Sequence, residues 1–507
     1  MRRFTLFGDL DKTISGMESG KMRNWTGALV INTIMDFYHK FAREVDANQK
    51  KFVERLRKAV AIPSISGQPE RRADVLRMVQ WTKMQMEELG AKVELCEIGK
   101  QTLSDGSGIN LPPVLFGTLG NDKDKKTLLI YGHLDVQPAE NLDGWNTEPF
   151  SLVEKDGKLF GRGSTDDKGP VVAWINALDT LRKCEIPIPV NIKFCFEAME
   201  ESGSLGLEEI LKKKKDTFLN DINFTCISDS YWLGKNKPCI SYGLRGLCYY
   251  FIEITGCKQD LHSGVFGGSI YEPMSDLIWV MSQLTDVDGN IMIAGIMDLV
   301  APVTNEEKKL YEALDFDMEE YRADIGAIKL LSDSKEKILM NRWRYPTLSL
   351  HGIIGASSGE DAKTVIPGKV IGKFSIRLVP NMEPVKVDSL VMHHLNALWK
   401  IRGSPNRFEV KPLHSGVHWV SDFKDPHYQC AARAIRKVYG VEPDYIREGG
   451  SIPVTITFQE LTRSSVLLLP IGSSDDMAHS QNEKINLINY MEGIKLLGAY
   501  ILELCNL

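Results

Sequence analysis

Residues 127–138 read TLLIYGHLDVQP, a strand-like apolar run followed at once by two polar side chains, His133 and Asp135. In open α/β sheets, ligands bind outside the carboxyl ends of the strands, which is where His133 falls. An imidazole nitrogen suits zinc or manganese. Asp135, two residues on, can accept the other imidazole N–H and so orient the ring. The stretch predicts one side of a metal site, although a single His-x-Asp pair is weak evidence.

Helical and strand-like patterns alternate around this stretch. Apolar residues recur at helical spacing in five segments, which are 52–60, 75–89, 169–182, 205–214 and 428–439. A sixth and longer helix is predicted over 486–504. Strand-like runs lie at 92–95, 127–131, 190–197, 224–228 and 466–469. This alternation predicts an α/β fold in which helices cover both faces of a mostly parallel sheet.

The pattern changes near residue 242 and returns near residue 419. Between them lie two strands, 247–255 and 370–379, and an amphipathic helix at 274–284. The second strand alternates in the manner of a sheet with one buried face. We therefore predict that an α+β domain interrupts the first, with these boundaries: an N-terminal extension at 1–35, a catalytic domain in two parts at 36–241 and 418–507, and the inserted domain at 242–417.

Composition excludes several classes of protein. The chain of 507 residues has a formal charge of only -6, so it lacks the basic field of a nucleic-acid binder. It has no apolar run of the roughly twenty residues that cross a membrane. Nine cysteines without a CxxC pair predict a reduced, cytoplasmic protein with neither disulfides nor a thiolate zinc site.

Four further polar clusters also follow strand-like runs. They are GRGSTDDKG at 161–169, MEESGS at 199–204, ISDS at 227–230 and SDDMAHSQNE at 474–483. With the first cluster they supply two histidines and at least three carboxylates. This mixed nitrogen and oxygen set suits two divalent cations such as Zn²⁺ or Mn²⁺. Such ions lie roughly 3.5–4 Å apart when a carboxylate bridges them.

The residues alone leave alternatives open. Asp167 precedes a predicted helix and is interpreted as its cap, which leaves Asp166 free to bridge two cations. The glycines nearby could cradle a phosphate, but the Walker spacing is missing. Glu200 and Glu201 are either a solvated pair before a helix or a metal ligand beside a general base.

Eight long segments resemble those of the aminoacylase-type di-metal peptidases, and within them the carnosine dipeptidase group. The resemblance covers nearly the whole chain from about residue 37. The segments are YGHLDVQPA, DGKLFGRGSTDDKGPV, MEESGS, DLHSGVFGGS, RWRYPTLSLHGI, AKTVIPGKVIGKFSIRLVPNM, REGGSIPVT and AHSQNEK. The resemblance implies a homodimer that hydrolyses dipeptides with two divalent ions, Mn²⁺ or Zn²⁺, per subunit.

The resemblance also implies a role for each matching residue. One ion is assigned to His133 and Asp229, and the other to Glu201 and His479. Asp166 bridges both, across a non-proline cis peptide bond. The remaining two catalytic roles fall on Asp135, which orients the first histidine, and Glu200, the general base.

In the same way, the resemblance makes the inserted domain a lid and a dimerisation surface. His262 is expected to reach the partner subunit's site, although in isolation it would be interpreted as a turn residue. Arg377 is expected to bind the carboxylate of the substrate. Thr364 and Ser451 match other substrate-binding positions, and His479 contributes there as well.

Three positions depart from the pattern of the family. Ser230 stands where Asn is expected, Met477 stands where Gly is expected, and 354–361 lacks an expected Glu and Phe. A Met in place of a Gly strains the backbone if the position needs positive φ. Two other functions therefore stay open: deacylation of N-acyl amino acids at the same site, and a catalytically silent binding protein.

Overall fold

The computed structural model describes residues 27–103, 105–357, 359 and 362–507. Most of the predicted N-terminal extension, residues 1–26, lies outside them. The first helix begins inside that predicted extension, at Gly27. The α-helices are α1 (Gly27–Ala47), α2 (Gln49–Val60), α3 (Arg72–Glu88), α4 (Lys168–Lys183), α5 (Leu207–Lys214), α6 (Ser263–Phe266), α7 (Pro273–Ser282), α8 (Asn305–Ala313), α9 (Met318–Asp324), α10 (Lys335–Trp343), α11 (Pro384–Arg402), α12 (Pro426–Tyr439), α13 (Pro453–Thr462) and α14 (Leu487–Glu503).

The strands include every one predicted from the sequence, each with ends close to the predicted bounds. They are β1 (Lys92–Cys96), β2 (Lys100–Thr102), β3 (Gly108–Asn110), β4 (Val114–Leu119), β5 (Thr127–His133), β6 (Val153–Lys155), β7 (Lys158–Phe160), β8 (Asn191–Glu197), β9 (Phe224–Ile227), β10 (Cys239–Leu244), β11 (Gly246–Thr255), β12 (Leu261–His262), β13 (Thr347–Ile354), β14 (Val365–Ile366), β15 (Lys369–Leu378), β16 (Arg407–Gly416), β17 (Trp419–Val420), β18 (Asp444–Glu448), β19 (Ser465–Leu468) and β20 (Lys484–Asn486).

The chain forms two compact units. The first contains the described residues up to Tyr242, together with Ser421–Ile446 and Val454–Leu507. The second contains Gly243–Val420 and a short later segment, Arg447–Pro453. The sequence boundaries place this short segment in the catalytic domain instead. It belongs to the second unit because Arg245 holds it: the Arg245 backbone N–H donates to Gly450 O and the guanidinium donates to Gly449 O.

The first unit is built on a sheet with the strand order β1-β4-β8-β5-β9-β19-β10. The central strands β8, β5, β9 and β19 are parallel, and the strands outside them are antiparallel. Every residue of β5 and β8 is buried, so both faces of the sheet are covered there. Helix α14 packs against α1, α4 and α12. The mostly parallel sheet predicted from the sequence is confirmed.

The register of the central strands brings their carboxyl ends to one edge. His133 at the end of β5 lies opposite Glu197 at the end of β8. Two residues earlier, Tyr131 lies opposite Ile227, the last residue of β9. The polar clusters that follow these strands therefore begin side by side at the same edge of the sheet.

The second unit contains an antiparallel sheet with the order β13-β15-β11-β16. Burial alternates along β11, so one face of the sheet is covered and the other is more open. Tyr250, Ile252 and Ile254 point to the covered face and form a core with residues of α7 and α11. Among the helices that the structure describes, in either unit, none is long and apolar enough to cross a membrane.

Candidate metal centre

The structure brings the five predicted ligands together in two groups that share one residue. His133, Asp166 and Asp229 form the first group, and Asp166, Glu201 and His479 form the second. Within each group the potential ligand atoms all lie within 4.8 Å of one another. Since Asp166 belongs to both groups, it occupies the position of a bridging ligand.

The first group is buried at the end of β5. His133 Nε2 lies 3.0 Å from Asp166 Oδ1 and 3.8 Å from Asp229 Oδ2. The His133 side chain is almost fully buried, as β5 runs through the centre of the sheet. One imidazole nitrogen therefore faces two carboxylates, which is an arrangement suited to one divalent cation.

The second group lies nearer the solvent. His479 Nε2 lies 3.0 Å from the other oxygen of Asp166, Oδ2, and 3.1 Å from Glu201 Oε2. The His479 side chain is 58% exposed, whereas that of Glu201 is 4% exposed. Gln137 donates from Nε2 to the same Glu201 oxygen at 2.8 Å and so fixes the direction of that carboxylate. The second group is thus the more accessible to solvent.

The electrostatics of the cluster fit bound cations. Burial, with repulsion from Asp166 and Glu201, raises the pKa of Asp229 to about 7, while His133 and His479 oppose the shift. Three buried carboxylates at this spacing repel one another, and their burial is costly unless positive charge lies between them. Two imidazoles and three carboxylates without thiolates are a donor set for divalent Zn²⁺ or Mn²⁺.

Asp135 contacts His133, as predicted, and also the backbone of Glu200 and Glu201. The acceptor nearest to His133 Nδ1 is the Asp135 backbone carbonyl, at 3.1 Å, and the Asp135 carboxylate lies 3.5 Å away. The two carboxylate oxygens accept the backbone N–H groups of Glu200 at 3.2 Å and Glu201 at 3.1 Å. This buried carboxylate therefore positions the glutamate pair as well as the histidine.

The prediction that Asp167 caps a helix is wrong as regards its side chain. Asp167 occupies the N-cap position of α4, but its side chain accepts no capping hydrogen bond from that helix. Instead, Asp167 Oδ2 accepts the backbone N–H of His133 at 3.1 Å. A Cβ at Gly132 would lie only 2.6 Å from this oxygen, which explains the glycine before the histidine. The Asp166–Asp167 peptide bond is cis.

Glu200 is next to a ligand but belongs to neither group. Burial raises the pKa of its carboxyl well above the usual range; His133 opposes the shift, and Asp229 and Glu201 add to it. Cations bound by the neighbouring ligands would lower this pKa again, because nearby positive charge favours the carboxylate. A carboxyl poised in this way can both accept and return a proton.

Two of the departures from the family pattern have a visible structural setting. Met477 adopts φ 56°, so the position does require the left-handed conformation that favours glycine. The Met477 side chain is 42% exposed. Ser230 is buried beside Asp229, and its hydroxyl oxygen has no hydrogen-bond partner among the described residues. The third departure, 354–361, lies partly outside those residues.

The four remaining predicted site residues form two pairs within the second unit. Thr364 lies beside the turn after His262, since its carbonyl accepts the backbone N–H of Ser263 at 3.0 Å. His262 and Thr364 are both exposed. Arg377 donates from Nη1 to Ser451 Oγ at 3.2 Å, and Ser451 Oγ donates to the carbonyl of Arg245 at 2.5 Å.

Arg377 and Arg245 lie close enough for their charges to repel each other, and this arginine pair favours an anion. Burial lowers the pKa of Arg377. Burial, and then repulsion from Arg377 and Arg342, lowers the pKa of Arg245 to about 9. Guanidinium groups whose charges are buried near one another are stabilised by a carboxylate, for which their planar N–H groups are well shaped.

Two residues that position this site, Gln137 and Glu483, were not predicted from the sequence. Gln137 lies at the end of the quoted motif YGHLDVQP, so its spacing from His133 was visible but carried no chemical signal. Glu483 is an acid four residues beyond His479, and this closeness to a predicted ligand was its sequence signal.

We expect metal binding to release protons. The carboxylates of Asp166 and Glu201 raise the pKa of His479 to about 11 against the effect of burial. Burial lowers the pKa of His133, but Asp135 and Asp166 outweigh it and raise that pKa well above its usual range. Both rings are therefore protonated near neutral pH without metal, whereas a ligand nitrogen must be unprotonated.

Titration calorimetry with Mn²⁺ at pH 7.5, in two buffers of different ionisation enthalpy, measures this release. We expect two or more protons per protein, since bound cations would also lower the pKa of Glu200, and an affinity that rises with pH. Below pH 7 the number should increase, because Asp229 is then protonated as well. A release close to zero would contradict the assignment of both histidines as ligands.

A mixed donor set at the carboxyl edge of an α/β sheet is typical of metal-dependent hydrolases. Residues 129–503 match the family described as Peptidase family M20/M25/M40. The chain therefore belongs to this peptidase family, and it is a hydrolase. The resemblance drawn from the sequence motifs is confirmed.

Two curated relatives and one solved structure agree with this assignment. The Cys-Gly metallodipeptidase dug1 of Schizosaccharomyces pombe is 48% identical over 468 residues, which are 92% of this chain and 98% of that protein. The Beta-Ala-His dipeptidase of Homo sapiens is 48% identical over 471 residues, which are 92% and 93% of the two chains. The structure of the dipeptidase Dug1p from Saccharomyces cerevisiae has a TM-score of 0.87 at 46% identity and covers 93% of this chain and 99% of its own.

Proposed function

We propose that this protein is a cytoplasmic, metal-dependent dipeptidase that uses two divalent cations, Mn²⁺ or Zn²⁺. The observation that supports it best is the shared position of Asp166 in two three-residue ligand groups. The family membership and the names of the relatives support the reaction class. Nine free cysteines are in keeping with a reducing compartment.

In this proposal five residues hold the ions: His133 and Asp229 the first, Glu201 and His479 the second, and Asp166 both. Bound divalent ions activate water and polarise the carbonyl of the scissile bond. Asp135 keeps His133 in the tautomer that leaves Nε2 free, because Nδ1 donates to its carbonyl. Gln137 keeps Glu201 aimed at the second site.

Glu200 is the proposed general base. It takes the proton from the attacking water and passes it to the nitrogen of the leaving amino acid. The two N–H···O hydrogen bonds to Asp135 fix the backbone of Glu200 and Glu201, so that one carboxylate binds metal while its neighbour stays free to exchange a proton. The proposed base Glu200 and the proposed ligand Glu201 are thus adjacent residues of one short turn.

The second unit is the proposed lid and dimerisation domain. We propose that His262 reaches the site of the partner subunit in a homodimer, which agrees with its exposed position on a short turn. Arg377, held by Ser451, is proposed to bind the carboxylate of the substrate, and Thr364 to contact the peptide. The half-buried guanidinium of Arg377 supports this role, because partial burial makes a nearby carboxylate favourable.

The test is a panel of dipeptides incubated with the metal-stripped protein after addition of Mn²⁺ or Zn²⁺. Cys-Gly and β-Ala-His are included because relatives are named for them. We expect release of both amino acids, dependent on metal. An N-acetyl amino acid assayed alongside separates the deacylase alternative, and a protein that binds metal but cleaves none of these would overturn the proposal.

Arg377→Lys should weaken the binding of dipeptides that have a free carboxylate. A charge-assisted hydrogen bond is worth about 1.5–3 kcal/mol, so KM should rise roughly 10–100-fold with a smaller change in kcat. The same dipeptide with an amidated carboxyl terminus should be insensitive to the change. Arg344→Lys is the matched control, because Arg344 is a buried arginine of the same unit that pairs with Glu307.

A further inference from the structure

The loop that ends in Asp166 encloses an anion, and that anion is a side chain of the protein. Glu483 Oε1 accepts the backbone N–H groups of Gly163 at 3.0 Å, Thr165 at 3.0 Å and Asp166 at 3.2 Å. Glu483 Oε2 accepts Nη1 of Arg162 at 2.7 Å and the Gly163 N–H at 3.1 Å. The Glu483 side chain is fully buried.

Successive backbone N–H groups in a glycine-containing turn form a concave anion site. From its glycines alone, this loop could cradle a phosphate. The space is filled by Glu483 instead, whose backbone carbonyl also accepts the N–H of Gly161 at 2.9 Å. Strand β20, which begins directly after Glu483, pairs with β7 just before the loop. The carboxylate is therefore a fixed part of the loop.

Glu483 links two segments that contribute ligands to the centre. It lies four residues after His479, and the loop that it holds ends at Asp166. A second contact joins the same segments, since Thr165 Oγ1 donates to Asp476 Oδ2 at 2.8 Å. These buried polar contacts therefore fix the position of the Asp166 backbone relative to the segment that carries His479.

We propose that Glu483 is a positioning residue for the shared carboxylate of Asp166 and thereby sets the affinity of both ions. The proposal rests on the proposed function, in which Asp166 bridges the two sites. Glu483→Gln keeps the shape of the side chain, but the new amide N–H₂ faces the guanidinium of Arg162, and two donors then oppose each other. Relief of this conflict displaces the loop, so Asp166 no longer meets both ions in the same geometry.

The experiment is a titration of the full-length, metal-stripped protein with Mn²⁺, in which electron paramagnetic resonance measures free Mn²⁺. Loss of a residue that supports a metal ligand typically costs 10–100-fold in affinity, so we expect both dissociation constants of Glu483→Gln to rise by about that factor. Gln137→Ala is the matched comparison, because Gln137 donates to Glu201, a proposed ligand of the second ion, and it should weaken binding of that ion.

Glu503→Gln controls for the loss of a buried ion pair. Glu503, the last residue of α14, accepts hydrogen bonds from Arg433 and Lys437 of α12, and its replacement should lower thermal stability without changing either dissociation constant. The proposal is overturned if Glu483→Gln binds both ions as the wild type does, or loses only one. A wild-type protein that fails to bind two ions would instead overturn the proposed function.

A second measurement covers the case in which Glu483→Gln does not fold. Hydrogen–deuterium exchange of the metal-stripped wild type should show slow exchange across 163–166, because three of these N–H groups donate to the Glu483 carboxylate. Rapid exchange there would contradict the proposal. Glu483→Asp, which keeps the charge on a shorter side chain, should bind both ions with intermediate affinity.

Discussion

Glu200→Gln should lower kcat by about 10³-fold while both metal ions stay bound. General base catalysis typically contributes 10²–10⁴-fold, and glutamine has the same shape as glutamate but cannot take up the proton. The change does not remove a ligand, because Glu200 belongs to neither ligand group. Steady-state hydrolysis of a dipeptide, together with metal analysis of the same sample, measures both parts of the prediction.

Glu197→Gln is the matched control for this prediction. Glu197 is also a buried glutamate at the end of β8, and burial raises its pKa to about 7. Its carboxylate accepts Tyr131 Oη at 2.7 Å and Ser204 Oγ at 2.8 Å, so it supports the fold around the site. We expect lower stability with kcat close to wild type. A metal-loaded Glu200→Gln protein that keeps more than about a tenth of wild-type kcat would exclude Glu200 as the base.

Asp166→Ala should abolish binding of both ions, and activity with them. Each oxygen of Asp166 faces a different histidine, Oδ1 toward His133 and Oδ2 toward His479 at 3.0 Å in both cases. Removal of a shared ligand leaves each group with two protein ligands, fewer than the three or four that tight zinc sites use. Elemental analysis after dialysis against metal-free buffer should find two ions per wild-type chain and none in the variant.

Two comparisons make the result specific. Asp229→Ala removes a ligand of one group only, so one ion should remain. Asp179→Ala removes a buried aspartate of α4 that pairs with Lys51 and Lys183 and belongs to neither ligand group, and it should cost stability but retain both ions. If Asp166→Ala keeps one ion, Asp166 does not bridge the two sites, and the di-metal arrangement has to be revised.

Much of the fold is determined by local sequence. The run that became β5 is apolar without alternation, and this pattern predicts burial on both faces of the sheet. Burial alternates along β11, which predicts a sheet with one open face. This pattern distinguishes the second unit from the first, whose central strand β5 is buried on both faces. The clustering of the candidate ligands was predictable, because acids and histidines directly after apolar strands meet at one edge of a parallel sheet.

The exact contacts within the site were decided only by the tertiary structure. Sequence spacing could not tell that Asp167 accepts the His133 N–H instead of capping α4, because the two groups are 34 residues apart. It also could not show that the turn at Met477 has positive φ. Such contacts depend on how separate strands are brought into register.

Glu483 illustrates the limit most clearly. Local sequence identifies a glycine-containing loop that can enclose an anion, but the anion comes from a residue 320 positions away from Gly163. The sequence by itself therefore determined the sheet, the strand ends and the chemistry of the ligands. Only the folded chain decided which buried carboxylates lie in the candidate ligand groups and which accept backbone N–H groups, because each buried charge is paired with the donors that packing places beside it.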